Sequence, residues 1–342
     1  MPLRNRLRRL LLAFVCVLLA VGLVTTTTAV PSGADVDDGW AVIDVGLEHT
    51  CGVTTVGEAY CWGSAHEGAL GNGSAGELGF ESIPALVPAP AGVIWARISA
   101  GEYFTCALTA GGGLYCWGSD NLDEGSLGNG PVVGGQYRYP DPTPVDTPPG
   151  VVWASISSGR HSCALTTAGA AYCWGNGDNG QIGNGANADA ESPALVSAPP
   201  GVVWQSIEVG SPDSNNFGSR TTCAISTTGV GYCWGADSYG QLGDGDDLVD
   251  HNVPVPVLTP AGASWTSIRP GMNHTCGVTD AGAGYCWGRP ESGRLGRGYR
   301  EGTVGTPTEV VTPAGVTWTT IDTGAFYSCG LPTDGDLFCW GG

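Results

Sequence analysis

Six times along this 342-residue chain a cysteine is followed ten residues later by a second cysteine that leads into Trp-Gly. Cys51 is matched with Cys61, Cys106 with Cys116, Cys163 with Cys173, Cys223 with Cys233, Cys276 with Cys286 and Cys329 with Cys339. Successive Trp-Gly dipeptides stand 55, 57, 60, 53 and 53 residues apart, so one supersecondary unit recurs along the chain. That recurrence sets the fold class and moves the functional question from a single catalytic constellation towards surfaces.

Each unit offers four short strand-like segments bounded by Gly and Pro clusters, and no helical period lasts long enough to compete. In the second unit they are Ile83–Val87, Val93–Ser99, Phe104–Thr109 and Leu114–Gly118. A glycine falls six residues after the first cysteine every time: Gly57, Gly112, Gly169, Gly229, Gly282 and Gly335. A three-residue loop ending on glycine suits a type I turn closed by a left-handed bulge. In the first unit that turn sets Thr54 opposite Glu58 and Cys51 opposite Cys61. Opposed residues lie about 4.5–5.5 Å apart at Cα, within disulfide range, so one local bond per unit is expected. The alternative is reduced, buried cysteine, and zinc is disfavoured because ten-residue spacing is not that of a structural zinc site. The other six tryptophans, Trp40, Trp95, Trp153, Trp204, Trp265 and Trp318, each begin a Trp-x-x-Ile strand and read as packing residues.

Four strands in roughly 55 residues, repeated, indicate an all-β chain folded as a β-propeller of six four-stranded blades. The Trp-x-x-Ile strand, the His49–Thr54 type strand, Tyr60-Cys61-Trp62-Gly63 and the Gly-x-Leu-Gly-Asn-Gly loop at Gly68–Gly73 resemble the regulator of chromosome condensation repeat family. The loop recurs, with substitutions, at Gly125–Gly130, Gly180–Gly185, Gly240–Gly245 and Gly293–Gly298. The resemblance implies a propeller, usually of seven blades. Family members include nuclear exchange factors for a small GTPase, modules of ubiquitin ligases and a secreted bacterial inhibitor of β-lactamases. The sixth unit reaches Gly342 before its loop and its Pro-x-x-Val strand, so the last blade is expected to be incomplete. The ring is expected to close with the Trp40 unit against the Trp318 unit, since an open propeller leaves exposed sheet edges; a longer chain with a seventh unit is the alternative.

Residues 1–29 read as a signal peptide: Arg4, Arg6, Arg8 and Arg9 precede an apolar run from Leu10 to Val24, with cleavage after Ala29 or Ala34. Cys16 lies inside that run and leaves with it. A short acidic linker, 30–39, leads into the propeller, 40–342. The chain is therefore expected to be secreted, with tethering by an uncleaved N-terminal anchor as the alternative, and export favours the disulfides. Nine arginines remain after the signal against all 32 acidic residues, a net charge near −23, and lysine is absent. Such a surface repels nucleic acid and anionic membrane.

His49, His161 and His274 precede the first cysteine of their units by two residues, where Phe104, Thr221 and Tyr327 stand in the others. A position open to His, Phe, Thr and Tyr is a packing position, and no nucleophile recurs beside it. The segments Asp244–Asp250 and Asn176–Asn179 lack the Asp-x-Asp-x-Asp-Gly ladder of a calcium loop and read as solvated loops. A channel metal of the kind some propeller hydrolases use would draw ligands from several blades, and no such recurring His or carboxylate is expected. Catalytic, cofactor and metal residues are thus expected to be none.

Two features differ between units and are candidates for partner binding. One is the basic cluster Arg289, Arg294, Arg297 and Arg300 with Tyr299, suited to an acidic group. The other is an insertion in unit four, Ser211–Gly218, which carries Phe217. Tyr103, Tyr239 and Tyr327 are further non-repeating aromatics. The expected function is a disulfide-stapled, monomeric scaffold that binds a protein partner without catalysis. Inhibition of an extracellular enzyme and guanine-nucleotide exchange on a small GTPase are the alternatives.

Overall fold

The computed structural model describes residues 39–342 except 75–78, 121–123, 133, 212–218, 247 and 299–301. The expected signal peptide, Cys16 and most of the linker lie outside the described residues. No helix among the described residues is long and apolar enough to cross a membrane.

The ladder explains why the first strand of each unit reads Trp-x-x-Ile. In an unbroken strand, side chains three apart point to opposite faces. Here Trp95 pairs with Thr109 and Arg97 with Leu108, which leaves Ala96 as a bulge. The bulge returns Trp95 and Ile98 to one face, where both are buried. The same slip follows Trp40, Trp153, Trp204, Trp265 and Trp318.

The cysteine hairpin has the expected turn. Gly57 N donates to Thr54 O at 3.0 Å and Thr54 N to Glu58 O at 2.8 Å, with Gly57 at φ +86°. Cys51 therefore faces Cys61, and the same register sets Cys106 opposite Cys116, Cys163 opposite Cys173, Cys223 opposite Cys233, Cys276 opposite Cys286 and Cys329 opposite Cys339. All six pairs are disulfide-bonded within their units, with Cα atoms 4.1 Å apart. That spacing is tighter than the 4.5–5.5 Å range expected of opposed residues, and the reduced-cysteine alternative is set aside for every pair.

The strands assemble into six antiparallel sheets in chain order, five of four strands and a last one of three. Blade two comprises Trp95–Ala100, Phe104–Thr109, Leu114–Ser119 and Arg138–Pro144. Hydrogen bonding changes the phase of the repeat: Phe80–Leu86, which contains most of Ile83–Val87, pairs with the Cys61 strand and is the outer strand of blade one. Blade six holds Trp318–Thr323, Tyr327–Pro332 and Phe338–Gly341, incomplete as expected.

The Gly-x-Leu-Gly loop is the joint between blades. Its Leu70 is fully buried, and the carbonyl of Ala69 accepts Trp117 Nε1 at 3.0 Å and Thr105 Oγ1 at 2.8 Å from the next blade. Gly71, at φ +67°, lies against that indole, and a Cβ there would stand 2.4 Å from Trp117 Nε1. Trp174, Trp234, Trp287 and Trp340 donate in the same way to Ser126, Gln181, Gln241 and Arg294. Five apolar clusters result, one at each successive blade junction.

Closure of the ring, expected from the cost of open edges, is not what the structure has. Among the described residues no apolar cluster or hydrogen bond joins blade six to blade one. Ile43 is 48% exposed where Ile98, Ile207, Ile268 and Ile321 are buried, and Tyr327 is 50% exposed where its five counterparts are buried. Among the described residues no loop carbonyl receives the Trp62 indole, and that ring is only half-buried. Among the described residues nothing covers the outer faces of the two end blades.

Candidate binding face

Antiparallel order puts the first-to-second and third-to-fourth strand connections at one end of every blade. The other end carries the glycine turns and the Pro-Ala-Gly type linkers, such as Ala89–Gly92 and Pro260–Gly262, which barely change between blades. Variation in length is found at the first end, while the turns and linkers of the other keep their lengths. At the first end lie Tyr103, the start of the unit-four insertion at Ser211, Tyr239 and Arg289. Phe217 and the remainder of the insertion fall outside the described residues, as do Tyr299 and Arg300.

The four arginines do not form one exposed patch. Arg294 is 2% exposed and Arg297 7%. Arg294 donates from Nε to Glu291 O and from Nη1 to Ala325 O, and its guanidinium covers Phe326 at 5.2 Å. Arg297 donates to Gly302 O. These two spend their donors on backbone carbonyls and hold loops, so the expectation of a surface cluster is corrected for them. Arg289 is the accessible member: it pairs with Glu291 at 2.8 Å and lies 4.7 Å over the Tyr239 ring of blade four.

The first strands of successive blades pack side by side around an axis, and the residue after the Ile of each Trp-x-x-Ile faces it. These residues are Asp44, Ser99, Ser157, Glu208, Arg269 and Asp322. Asp44 accepts Ser99 Oγ and Ala100 N, both at 2.9 Å. Glu208 pairs with Arg269 and accepts Ser157 Oγ at 3.4 Å. Across the axis Ser211 Oγ donates to Thr323 O at 2.6 Å. Desolvation pushes the Glu208 carboxyl up, Arg269 opposes it, and Asp322 and Asp44 add to it. Desolvation likewise raises Asp44, against its hydrogen bonds from Ala100 and Ser99. Carboxylates thus do recur at one equivalent position, in blades one, four and six, contrary to the expectation from sequence. The signal was present one residue beyond each Trp-x-x-Ile.

The histidines sit as expected of packing residues. His49, His161 and His274 are buried and meet Thr105, Thr222 and Ser328 of the following blade through Nε2 at 2.8, 2.6 and 2.9 Å. Burial holds them well below the usual range, at about 4, 3 and 3. A further cluster, Asp244, Asp246 and His251, lies on the third-to-fourth connection of blade four. Beside it, burial pushes the Asp237 carboxyl up to about 7.

Comparison with known proteins agrees with this architecture. The RCC1-like domain matches residues 20–342. The human regulator of chromosome condensation is 29% identical over 308 residues, which cover 87% of this chain and 71% of that protein. The human E3 ubiquitin-protein ligase HERC2 is 29% identical over 303 residues, 87% of this chain but 6% of the ligase, so the chain spans a small part of that relative. Yeast RCC1 (Prp20), in its crystal structure bound to Kap60, superposes with a TM-score of 0.74 at 23% identity over 87% of this chain and 69% of that one. Repeat, blade construction and sequence match together place this chain in the RCC1-like domain family.

Proposed function

We propose that the protein is an extracellular, non-catalytic scaffold whose variable end binds a protein partner. The observation that carries this reading is the segregation of the two ends. One is built from turns and linkers of constant length, while the other carries the differences in loop length and the non-repeating Tyr103, Tyr239 and Arg289. Export is supported by cysteines paired in every unit and by the basic-then-apolar N-terminal sequence. Protein recognition is supported by the yeast relative of this fold, solved bound to Kap60. The repeated histidines are buried and hydrogen-bonded into the blade joints, which supports a packing role for them.

The test is capture of partners from culture supernatant by the disulfide-bonded protein, compared with variants at each end. Tyr239→Ala, Arg289→Ala and Asp322→Asn are expected to weaken capture, while Val56→Ser on the opposite end leaves it unchanged. Capture lost only in the Val56 variant would move the site to the other end. Metal-dependent hydrolysis by the purified protein would reject the non-catalytic reading.

A further inference from the structure

In blades one to five the outer strand is held in the same way. It runs antiparallel to the Tyr-Cys-Trp-Gly strand and leads into a buried valine: Val87, Val145, Val196, Val257 or Val310. A proline stands three residues before that valine each time, as Pro84, Pro142, Pro193, Pro254 and Pro307. The residue two before the valine pairs with the second cysteine, and the residue six before it pairs with the glycine of Cys-Trp-Gly. The proline therefore falls in a bulge opposite the tryptophan, where it costs no ladder bond. The valine N–H donates to the strand, as from Val87 to Ala59 O at 2.9 Å and from Val145 to Leu114 O at 3.0 Å. The carbonyl five residues before the valine accepts the last glycine of the preceding blade's loop: Pro140 from Gly73, Glu191 from Gly130, Asn252 from Gly185 and Gly305 from Gly245.

Among the described residues blade six presents this groove unpaired. Phe338–Gly341 is the edge of its three-stranded sheet, and a template for another strand. The groove beside it is lined by Ser292, Gly293, Gly296, Gly298, Val311 and Trp340. Trp340 has its carbonyl partner, Arg294 O at 2.9 Å, yet it is only half-buried. Trp117, Trp174, Trp234 and Trp287, each beside a complete outer strand, are 0% exposed. Leu337 stands where Ala59 and Leu114 accept the valine N–H, and Gly298 stands where Gly73 donates.

We propose that this edge is a docking site for an extended x-x-x-Pro-x-x-Val segment of a partner protein, which adds to blade six as its fourth strand. The five resident outer strands define that ligand. Its valine N–H donates to Leu337 O, its carbonyl five residues earlier accepts Gly298 N–H, and its proline-bearing bulge covers the Trp340 ring. Strand addition of this kind takes affinity from main-chain bonds and specificity from the side-chain pockets. The valine comes to lie over Cys329 and Cys339, as Val87 packs with Cys51 and Cys61. A separate polypeptide is the occupant because each Pro-x-x-Val in the 342 residues already serves as an outer strand or, as at 90–93 and 313–316, as a linker between blades. The site stands apart from the variable loops and uses neither Tyr239 nor Arg289.

The experiment titrates the intact, disulfide-bonded protein into a fluorescent peptide of residues 190–198, Ala-Glu-Ser-Pro-Ala-Leu-Val-Ser-Ala, and reads anisotropy. Saturable binding of one peptide per chain is expected below about 1 mM, and a peptide carrying Val196→Asp is expected to bind more than about ten-fold more weakly. Limited reduction and alkylation then locate the peptide: it should slow labelling of Cys329 and Cys339 and leave that of Cys163 and Cys173 unchanged. No saturation up to about 1 mM, equal binding of the Val196→Asp peptide, or binding that leaves Cys329 and Cys339 as reactive as before overturns the assignment. So does a Cys329–Cys339 bond that resists reduction as well as Cys163–Cys173 without peptide, since the protein's own chain or a second copy would then fill the groove.

Discussion

His161 shows how a side chain that could do chemistry is committed to packing. Its Nε2 meets Thr222 Oγ1 at 2.6 Å, and that hydroxyl donates its only hydrogen to Gln181 O at 2.8 Å. The imidazole must therefore donate from Nε2. Its Nδ1 is buried without a partner, so a second proton would be an unsatisfied donor. Burial, with Arg160 adding to it, pushes the pKa down to about 3. The unfolded chain titrates near about 6.5 and so binds more protons than the folded one between those values. The stabilisation is complete above about 6.5 and is lost as the pH falls through this window, by up to about 1.4 kcal/mol per pH unit. Urea unfolding of the parent and of His161→Gln isolates this residue from the raised carboxylates, whose effect has the opposite sign. The parent should lose stability more steeply than the variant between pH 7 and 4. Equal slopes would mean that His161 is charged or solvated in the fold. The packing role was legible because Phe104, Thr221 and Tyr327 share the position; the bonded partner, a residue one whole unit away, was not.

At the scale of the element, the hairpin was legible in nearly every detail. Spacing and Gly57 dictate the turn, the turn dictates the register, and the register brings Cys51 to Cys61. The burial of those bonds was not legible, because it depends on what the next blade lays over them. In blades one to five both cysteines are at most 1% exposed, covered by the tryptophans of the following blade. In blade six Cys329 is half-buried and Cys339 exposed, with no tryptophan of another blade laid over them among the described residues. Thiol–disulfide exchange needs access to a sulfur. Limited reduction of the native protein followed by alkylation and peptide mapping should therefore label Cys329 and Cys339 before the other ten. Labelling that spreads evenly over all six pairs, or that begins at an inner pair such as Cys163 and Cys173, would show that the outer face of blade six is covered in solution.

For the whole molecule, what the repeat could not convey is how its units add up. Each junction is local and was foreshadowed by Gly-x-Leu-Gly before Cys-Trp-Gly, but closure depends on a sum of blade rotations that no spacing encodes. The axial ring escaped for a related reason: its members are united by position after Ile, not by residue type, and only the fold brings Asp44, Glu208 and Asp322 around one axis. The open seam can be measured by comparing two isoleucines at equivalent places. Ile268 is 2% exposed inside the junction of blades four and five, so Ile268→Ala removes packed methyl groups and should cost about 2–5 kcal/mol. Ile43, in the same register of blade one, is 48% exposed among the described residues, so Ile43→Ala should fall within the roughly 0.5 kcal/mol typical of surface changes. Denaturant unfolding of the two variants beside the parent reads the difference directly. An Ile43→Ala protein destabilised as much as the Ile268→Ala one would show that the first face is buried in solution, by the sixth blade or by another body. Unequal costs in the stated order would establish that the five junctions carry the stability and that the seam between blades six and one contributes none.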